Sequence, residues 1–313
     1  RSVAQVKRDL SEVLRDSLRG KRFQFDLGSL GLMRPDLSLP AYAGFAPTDG
    51  LAPIFNLFDR TGGGRRYTQR VTRSRCRDFR GGRLTYDEHD GTDLVCPVGT
   101  PLVAAAPGVV VMIRDRWLRG GLTIAVDHGH GIVTQYTHCS RAMAELGQPV
   151  QRGETVALSG ASGLDMTQFF PWVPPHVHFM VYVHGRPVDP FLADGEAARA
   201  GTWQPLASGP LPNDPRVERP SEVDRAALER VAEACTDARI RAEIAAVEDR
   251  PGMLAALLED AMCHDSWAFS ANARLRPGPE PSPDAVFITL PLPLSDYRGT
   301  RFADAAWLNT VNR

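Results

Sequence analysis

His89 and Asp93 stand four residues apart in the stretch YDEHDGTDLVCPVGTPLVAAAPG, residues 86–108. A histidine nitrogen and a carboxylate oxygen held around a glycine turn make half of a site for a borderline metal ion such as zinc. Two residues alone are also what a polar turn contains, so the rest of the chain must decide. A calcium loop does not fit. Counted from Asp87, the third position is His89 and the twelfth is Val98, where such a loop needs oxygen donors and a bidentate glutamate.

Matching ligands exist. Six of the eight histidines, all except His184 and His264, fall between residues 89 and 178. His176 and His178 flank one residue of the run HVHFMVYVHG, whose β-branched and aromatic content reads as a strand. Residues two apart on a strand project to one face, about 7 Å from each other, so both imidazoles can address a single centre. His138 closes the strand-like run IVTQYTH.

These groups need a scaffold. From 84 to 192 the sequence alternates short strand-like runs (GVVVMI, LTIAVD, IVTQYTH, ETVALSG, HVHFMVYVHG) with glycine turns. His128-Gly129-His130-Gly131 reads as a hairpin turn and His184-Gly185 as the turn after the last strand, with structural rather than chemical roles for those histidines. Strands this close together, with no helices between them, imply antiparallel β structure.

The flanks differ. Residues 2–19 carry Val3, Val6, Leu10, Val13, Leu14 and Leu18 at helical spacing, closed by Gly20, and residues 28–53 read as an extended connection. Nine arginines lie between 60 and 83, either a solvated face or one wall of a cleft for carboxylate-bearing substrates. After Pro190 the pattern turns helical: 221–248, opening on Ser221-x-x-Asp224 as a capping box, then Met253–Met262. A proline-rich connection at 277–283, a strand-like AVFITLPLPL and a final helix around 302–310 follow. His264 carries no motif.

Composition bounds the partners. With 36 basic and 37 acidic residues the formal charge is −1, which gives no electrostatic reason for nucleic acid or an acidic membrane as partner. The longest apolar run, Leu102–Ile113, is too short to span a bilayer and is cut by Pro107-Gly108, so no transmembrane segment is expected. The chain opens on Arg1 with no signal peptide in view. Five dispersed cysteines do not form a disulfide framework; a single Cys76–Cys96 bridge stays open.

Taken in order, HDGTD, YTHCS and HVH resemble the signature of the lysostaphin-type zinc metallopeptidases: His-x-x-x-Asp, Tyr-x-His-x-Ser and His-x-His. GTPLVAAAPGVVV, IAVDHGHGIVTQYTHCS and GQPVQRGETVALSGASG resemble the text that links those motifs. The resemblance covers about residues 84–192. It implies a mainly β chain with α additions: an antiparallel duplicated-hybrid-motif peptidase domain at 84–192, flanked by an N-terminal helix and Arg-rich lead-in (1–83) and a mostly helical C-terminal region (193–313). It implies His89, Asp93 and His178 as ligands of Zn2+, with a water in the fourth position, and His138 and His176 as catalytic groups beside it. The implied activity is hydrolysis of peptide bonds in peptidoglycan cross-links or stem peptides, in the bacterial cell envelope, periplasmic or secreted. A non-catalytic binder or activator on the same fold is the competing class, but such members lose ligands and none of the five is lost here. A zinc peptidase with a protein substrate is a third reading.

Three departures from the pattern stand out. The approach to the last motif, LDMTQFFPWVPPHVH, is longer and adds Phe169, Phe170 and Trp172, either a contact surface for a ligand or partner or packing against the terminal elements. Met180 follows His178-Phe179 where the family more often carries an acid. CRDFRGG replaces the expected Phe-Gly-x-Arg before His89.

Overall fold

The computed structural model describes residues 32–61, 76–86, 89–116, 120–163, 166, 171–202, 216–265, 268–269, 281–282 and 285–304. Among these, β structure dominates. Strands β1 (Leu51–Asn56), β2 (Thr92–Val95), β4 (Gly108–Arg116), β5 (Gly121–Asp127), β6 (Ile132–Cys139), β8 (Pro149–Val150), β10 (His176–Val183), β11 (Arg186–Val188) and β12 (Gly299–Phe302) form one sheet. Its order is β12-β1-β2-β10-β6-β5-β4-β8, with β11 on β10. All the pairings in it are antiparallel except β1 with β12. A smaller antiparallel sheet joins β3 (Pro101–Val103), β9 (Thr155–Leu158) and β7 (Arg141–Ala142).

The alternation along β10 explains the layers. Val177, Phe179, Val181 and Val183 enter the main core with Ile54, Leu94, Ile124 and Tyr136. His176, His178, Met180 and Tyr182 take the opposite face. There Met180 and Tyr182 pack with Val111, Ala125 and Ala256. Ala256 belongs to a C-terminal helix, so both faces of β10 are covered and every residue of the strand is buried. That helix is the last of four among the described residues: α1 (Pro35–Tyr42), α2 (Arg225–Glu233), α3 (Ala238–Ala245) and α4 (Pro251–His264).

A buried ion network fixes α4 to the sheet. Arg114 Nη1 and Arg116 Nη1 both reach Asp260 Oδ2, at 2.5 and 2.9 Å. Arg116 Nη2 meets Asp265 Oδ2 at 2.5 Å and Arg114 Nε meets Glu243 Oε2 at 2.8 Å. Two guanidiniums taken out of water are each matched by carboxylates, the condition under which such burial is tolerated.

The flanks depart from their sequence reading. The connection expected at 28–53 contains α1, opened by Pro35 at its first turn, and the start of β1. The helix expected over 221–248 is two, because Asp237 breaks the run and caps a new start, accepting from the N–H groups of Arg239 (3.0 Å) and Ile240 (3.2 Å). No Ser221 capping box forms. Asp224 caps α2 through Ala227 N–H, while Ser221 Oγ donates to Asp127 Oδ1 at 2.7 Å. AVFITLPLPL does not become a strand of either sheet: Pro291 and Pro293 bring no N–H, and the segment adds only single bonds such as Thr289 N–H to Ala105 O. Gly299–Phe302, at the start of the expected final helix, is β12. Residues 2–19 and 305–310 lie outside the described residues. The five cysteines form no disulfide, so Cys76 and Cys96 are buried thiols. No described helix is long and apolar enough to cross a membrane.

Candidate metal centre

Register builds the site. Asn56 on β1 pairs with Asp93 on β2, Asp93 with His178 on β10, and His178 with Thr137 on β6. Directly paired residues share a face, so these four side chains form a row across four strands. A bulge then adds the next group. Between β5 and β6 the pairing runs from Leu122–Cys139 to Ile124–Tyr136, three steps along β6 against two along β5. His138 sits in that extra step with φ 65°, in the left-handed region. The bulge turns its ring back toward the row, so that it lies 5.0 Å from the His176 ring and 6.1 Å from the His178 ring, centroid to centroid.

His89 enters from the turn before β2. The residues after β1 grip that turn: Asp59 N–H donates to His89 O, and His89 Nδ1 lies 2.8 Å from Leu57 O. Gly91 inside the turn is required sterically. A Cβ there would stand 2.7 Å from Phe179 O and 2.9 Å from the His178 ring.

The hydrogen bonds fix which nitrogen of each histidine faces the centre. His89 Nδ1–H donates to Leu57 O, His138 Nδ1–H to Ser162 O and His176 Nδ1–H to Pro174 O, each at 2.8 Å. His178 Nε2–H points to Asp90 Oδ1 at 3.2 Å. The inward atoms are therefore His89 Nε2, His178 Nδ1 and Asp93 Oδ1, which converge at 3.1, 2.8 and 3.2 Å from one another. Three donor atoms this close call for a proton or a cation among them, and a metal ion satisfies all three at once. Ligands about 2.0–2.1 Å from a tetrahedral ion stand about 3.3 Å apart. The donor set and its spacing fit zinc.

The electrostatics agree. Burial opposes ionisation of Asp93, yet His89, His176 and His178 around it hold its carboxyl well below the usual range. Burial likewise opposes charge on His178, and the carboxylates of Asp90 and Asp93 overcome it, raising its pKa to about 9. His176 goes the other way: burial and the neighbouring His138 outweigh Asp93, and its pKa falls to about 4. The cluster favours positive charge at its centre while keeping His176 neutral.

All five sequence-derived residues meet here, each no more than 8% exposed. A cleft lined by Tyr86, Thr137, His138, His178, Asp260 and His264 leads to them. Sequence reasoning missed three groups. Asp90 supplies a carboxylate to His178 in place of the acid absent at Met180. Asn56 Nδ2 donates to Asp93 Oδ2 at 2.7 Å, fixing the ligand carboxylate. His264, on α4, reaches the cleft from the far end of the chain. His128 is structural, bridging Pro107 O and Thr134 Oγ1. Of the described arginines between 60 and 83, Arg60 and Arg80 pair with carboxylates of the same chain and Arg77 and Arg83 are exposed, the arrangement of a solvated face. Near the aromatic insertion, α1 grips the backbone on either side of Trp172 through Ser38 Oγ, and Trp172 itself is 41% exposed. Phe169 and Phe170 lie outside the described residues.

Residues 87–190 match the model of Peptidase family M23. The chain is 37% identical over 106 residues to the peptidoglycan DD-endopeptidase ShyA of Vibrio cholerae, covering 34% of this chain and 23% of that protein. It is 31% identical over 106 residues to the DD-carboxypeptidase/endopeptidase Mpg of Neisseria meningitidis, covering 34% and 23%. The chain thus spans about a quarter of the length of the curated relatives it matches. Among solved structures it is similar to a zinc-containing peptidase from Vibrio cholerae, at 26% identity and a TM-score of 0.32 over 46% of this chain and 41% of that one. The catalytic domain of lysostaphin from Staphylococcus simulans matches at 25% identity and a TM-score of 0.28, over 33% and 77%.

Proposed function

We propose that this M23 domain is a zinc-dependent endopeptidase that hydrolyses peptide bonds in peptidoglycan and acts in the bacterial cell envelope. In this reading residues 84–192 are the catalytic unit, and 1–83 and 193–313 are accessory to it. The convergence of His89 Nε2, Asp93 Oδ1 and His178 Nδ1, with the other nitrogen of each histidine already committed, is the observation that carries it. The DD-endopeptidases among its relatives make a D,D-linked peptide the first substrate to test.

His89, Asp93 and His178 hold the ion, and Asn56 and Asp90 keep Asp93 and His178 in their orientations. The three ligands would hold a zinc ion, whose chemistry there would be Lewis-acid activation of water and of the scissile carbonyl. His138, with Nδ1–H tied to Ser162 O, presents Nε2 to the cleft as the general base that takes the attacking water's proton and returns it to the leaving amine. His176, held by Pro174 O, presents the second imidazole, and it stabilises the negative charge that develops on the substrate oxygen. Met180 continues the same face into the lining of the cleft, and Tyr182 beyond it is covered by α4. In the aromatic insertion, exposed Trp172 offers a contact for substrate or partner.

The test combines zinc content with digestion of purified peptidoglycan, reading released fragments by mass spectrometry. The wild type should hold zinc and release D,D-cleaved fragments. His89→Ala should lose the zinc of this centre together with the cleavage, and His138→Ala should keep that zinc and lose the cleavage. A wild type that holds zinc without cleaving peptidoglycan leaves a peptidase of other substrate or a binder. One that takes up no zinc ends the enzyme reading.

A further inference from the structure

A second set of metal-type donors lies beside the first. Asp90, Cys263 and His264 each offer one atom, and all three atoms lie within 4.8 Å of one another. Cys263 Sγ is 3.6 Å from Asp90 Oδ2, and His264 Nδ1 is 3.9 Å from the same oxygen. A tetrahedral zinc holds sulfur at about 2.3 Å and oxygen at about 2.0 Å, which sets those two atoms about 3.5 Å apart. The sulfur–oxygen separation already has that value, and the nitrogen at 3.9 Å has roughly half an ångström to close toward the oxygen.

Two further features favour a cation here. Cys263 and His264 end α4, a 14-residue helix whose C-terminal carbonyls present negative potential to that point. His264 Nε2 lies 3.6 Å from Asp260 Oδ1, so a carboxylate faces the outer nitrogen while Nδ1 faces Asp90, as Asp90 faces the outer nitrogen of His178. The cleft reaches Asp90 and His264, which gives an ion its way in.

We propose that Asp90, Cys263 and His264 form a second divalent-metal site for a borderline ion such as Zn2+, joining the His89–Asp93 turn to the end of α4. On binding, the Cys263 thiol proton passes to solvent and a sulfur–metal bond forms. Water completes the shell. The site goes beyond the peptidase reading and does not rest on it. The two are nonetheless coupled, because Asp90 uses Oδ1 to hold the His178 imidazole and Oδ2 for the second ion. Filling the second site ties α4 down at the mouth of the cleft.

The experiment measures zinc per chain and the absorption of the cobalt-loaded protein for the wild type, His89→Ala, Cys263→Ser and His264→Ala. Circular dichroism checks that each variant is folded. The wild type should hold about two ions, and each variant about one. Cobalt-loaded wild type and His89→Ala should show a thiolate-to-cobalt charge-transfer band, and Cys263→Ser should lack it. A wild type with one ion, lost in His89→Ala, and with no thiolate band would overturn the second site and leave the first intact. One ion that survives His89→Ala and disappears in Cys263→Ser would uphold the second site and sink the peptidase reading. If folded Cys263→Ser fails to take up its single ion, His264→Ala carries the same decision through the thiolate band.

Discussion

His178 Nε2 lies 3.2 Å from Asp90 Oδ1, and this contact, made by two residues 88 apart in the chain, fixes the ring whose other nitrogen faces the metal centre. Replacing the carboxylate with an amide weakens the hold without removing a ligand. In a Cys263→Ser background, which isolates the first centre, Asp90→Asn should lower zinc affinity about 10–100-fold. Competition with a chelator of known affinity measures it, and an unchanged affinity would remove Asp90 from the site.

In the proposed mechanism His138 moves protons and does not bind the metal. His138→Ala should keep its zinc and lower kcat about 100- to 10,000-fold, with a smaller change in KM. Steady-state kinetics on a cross-linked muropeptide separate the two parameters. Loss of zinc in this variant would make His138 a ligand.

Gly91 leaves no room for a methyl group. In Gly91→Ala the new Cβ meets the Phe179 carbonyl oxygen at 2.7 Å and the His178 ring at 2.9 Å, so either the turn or β10 must shift. A stability loss of about 1–3 kcal/mol is expected, accompanied by weaker zinc binding. Urea unfolding with and without zinc tests the pair, and a variant that is destabilised yet binds normally would show that the turn alone gives way.

Removing Asp260 strands two buried guanidiniums. Asp260→Ala should cost toward the lower end of about 3–5 kcal/mol, since Glu243 and Asp265 remain. Hydrogen exchange should show α4 opening before the sheet does. Uniform loss of protection across both would mean that helix and sheet unfold as one unit.

Glu259 faces the Gly185 turn, and burial, then the charge of Asp127, raise its carboxyl to about 8. A carboxyl with a raised folded value binds its proton more tightly in the fold than in the unfolded chain. Its stability contribution is therefore complete below the ordinary value of 4.5 and declines as pH rises toward 8. Glu259→Gln should flatten the fall in Tm between pH 6 and 9 and raise Tm at the upper end by about 2–4 °C per kcal/mol recovered. Parallel melting curves across that range would settle it, and parallel slopes for the two proteins would reject the assignment.

The strands that carry the centre were legible because each declares itself locally. HVHFMVYV alternates so that its histidines share a face, and HDGTD turns on a glycine. What joins those pieces was not. Asp90 and His264 meet across 173 intervening positions, and no period or spacing records such a contact. The bulge at His138 is one extra residue inside an otherwise regular run, and QYTHC gives no sign of it. Gly299–Phe302 is a half-buried edge strand without an apolar pattern, so only its partner β1 makes it one. The helical break at Thr236-Asp237 was readable, since aspartate is a preferred cap, but the apolar spacing across it masked the signal.

The pairing of β1 with β12 sets an order in time. Asn56, which steadies Asp93, sits at the end of a strand whose other edge stays bare until residues 299–302 leave the ribosome. Non-local pairing of this kind is slow to form. A nascent chain that has made every residue of the centre still lacks its outer support, so full rigidity at the centre arrives only after residues 299–302 have joined β1, more than a hundred positions after His178.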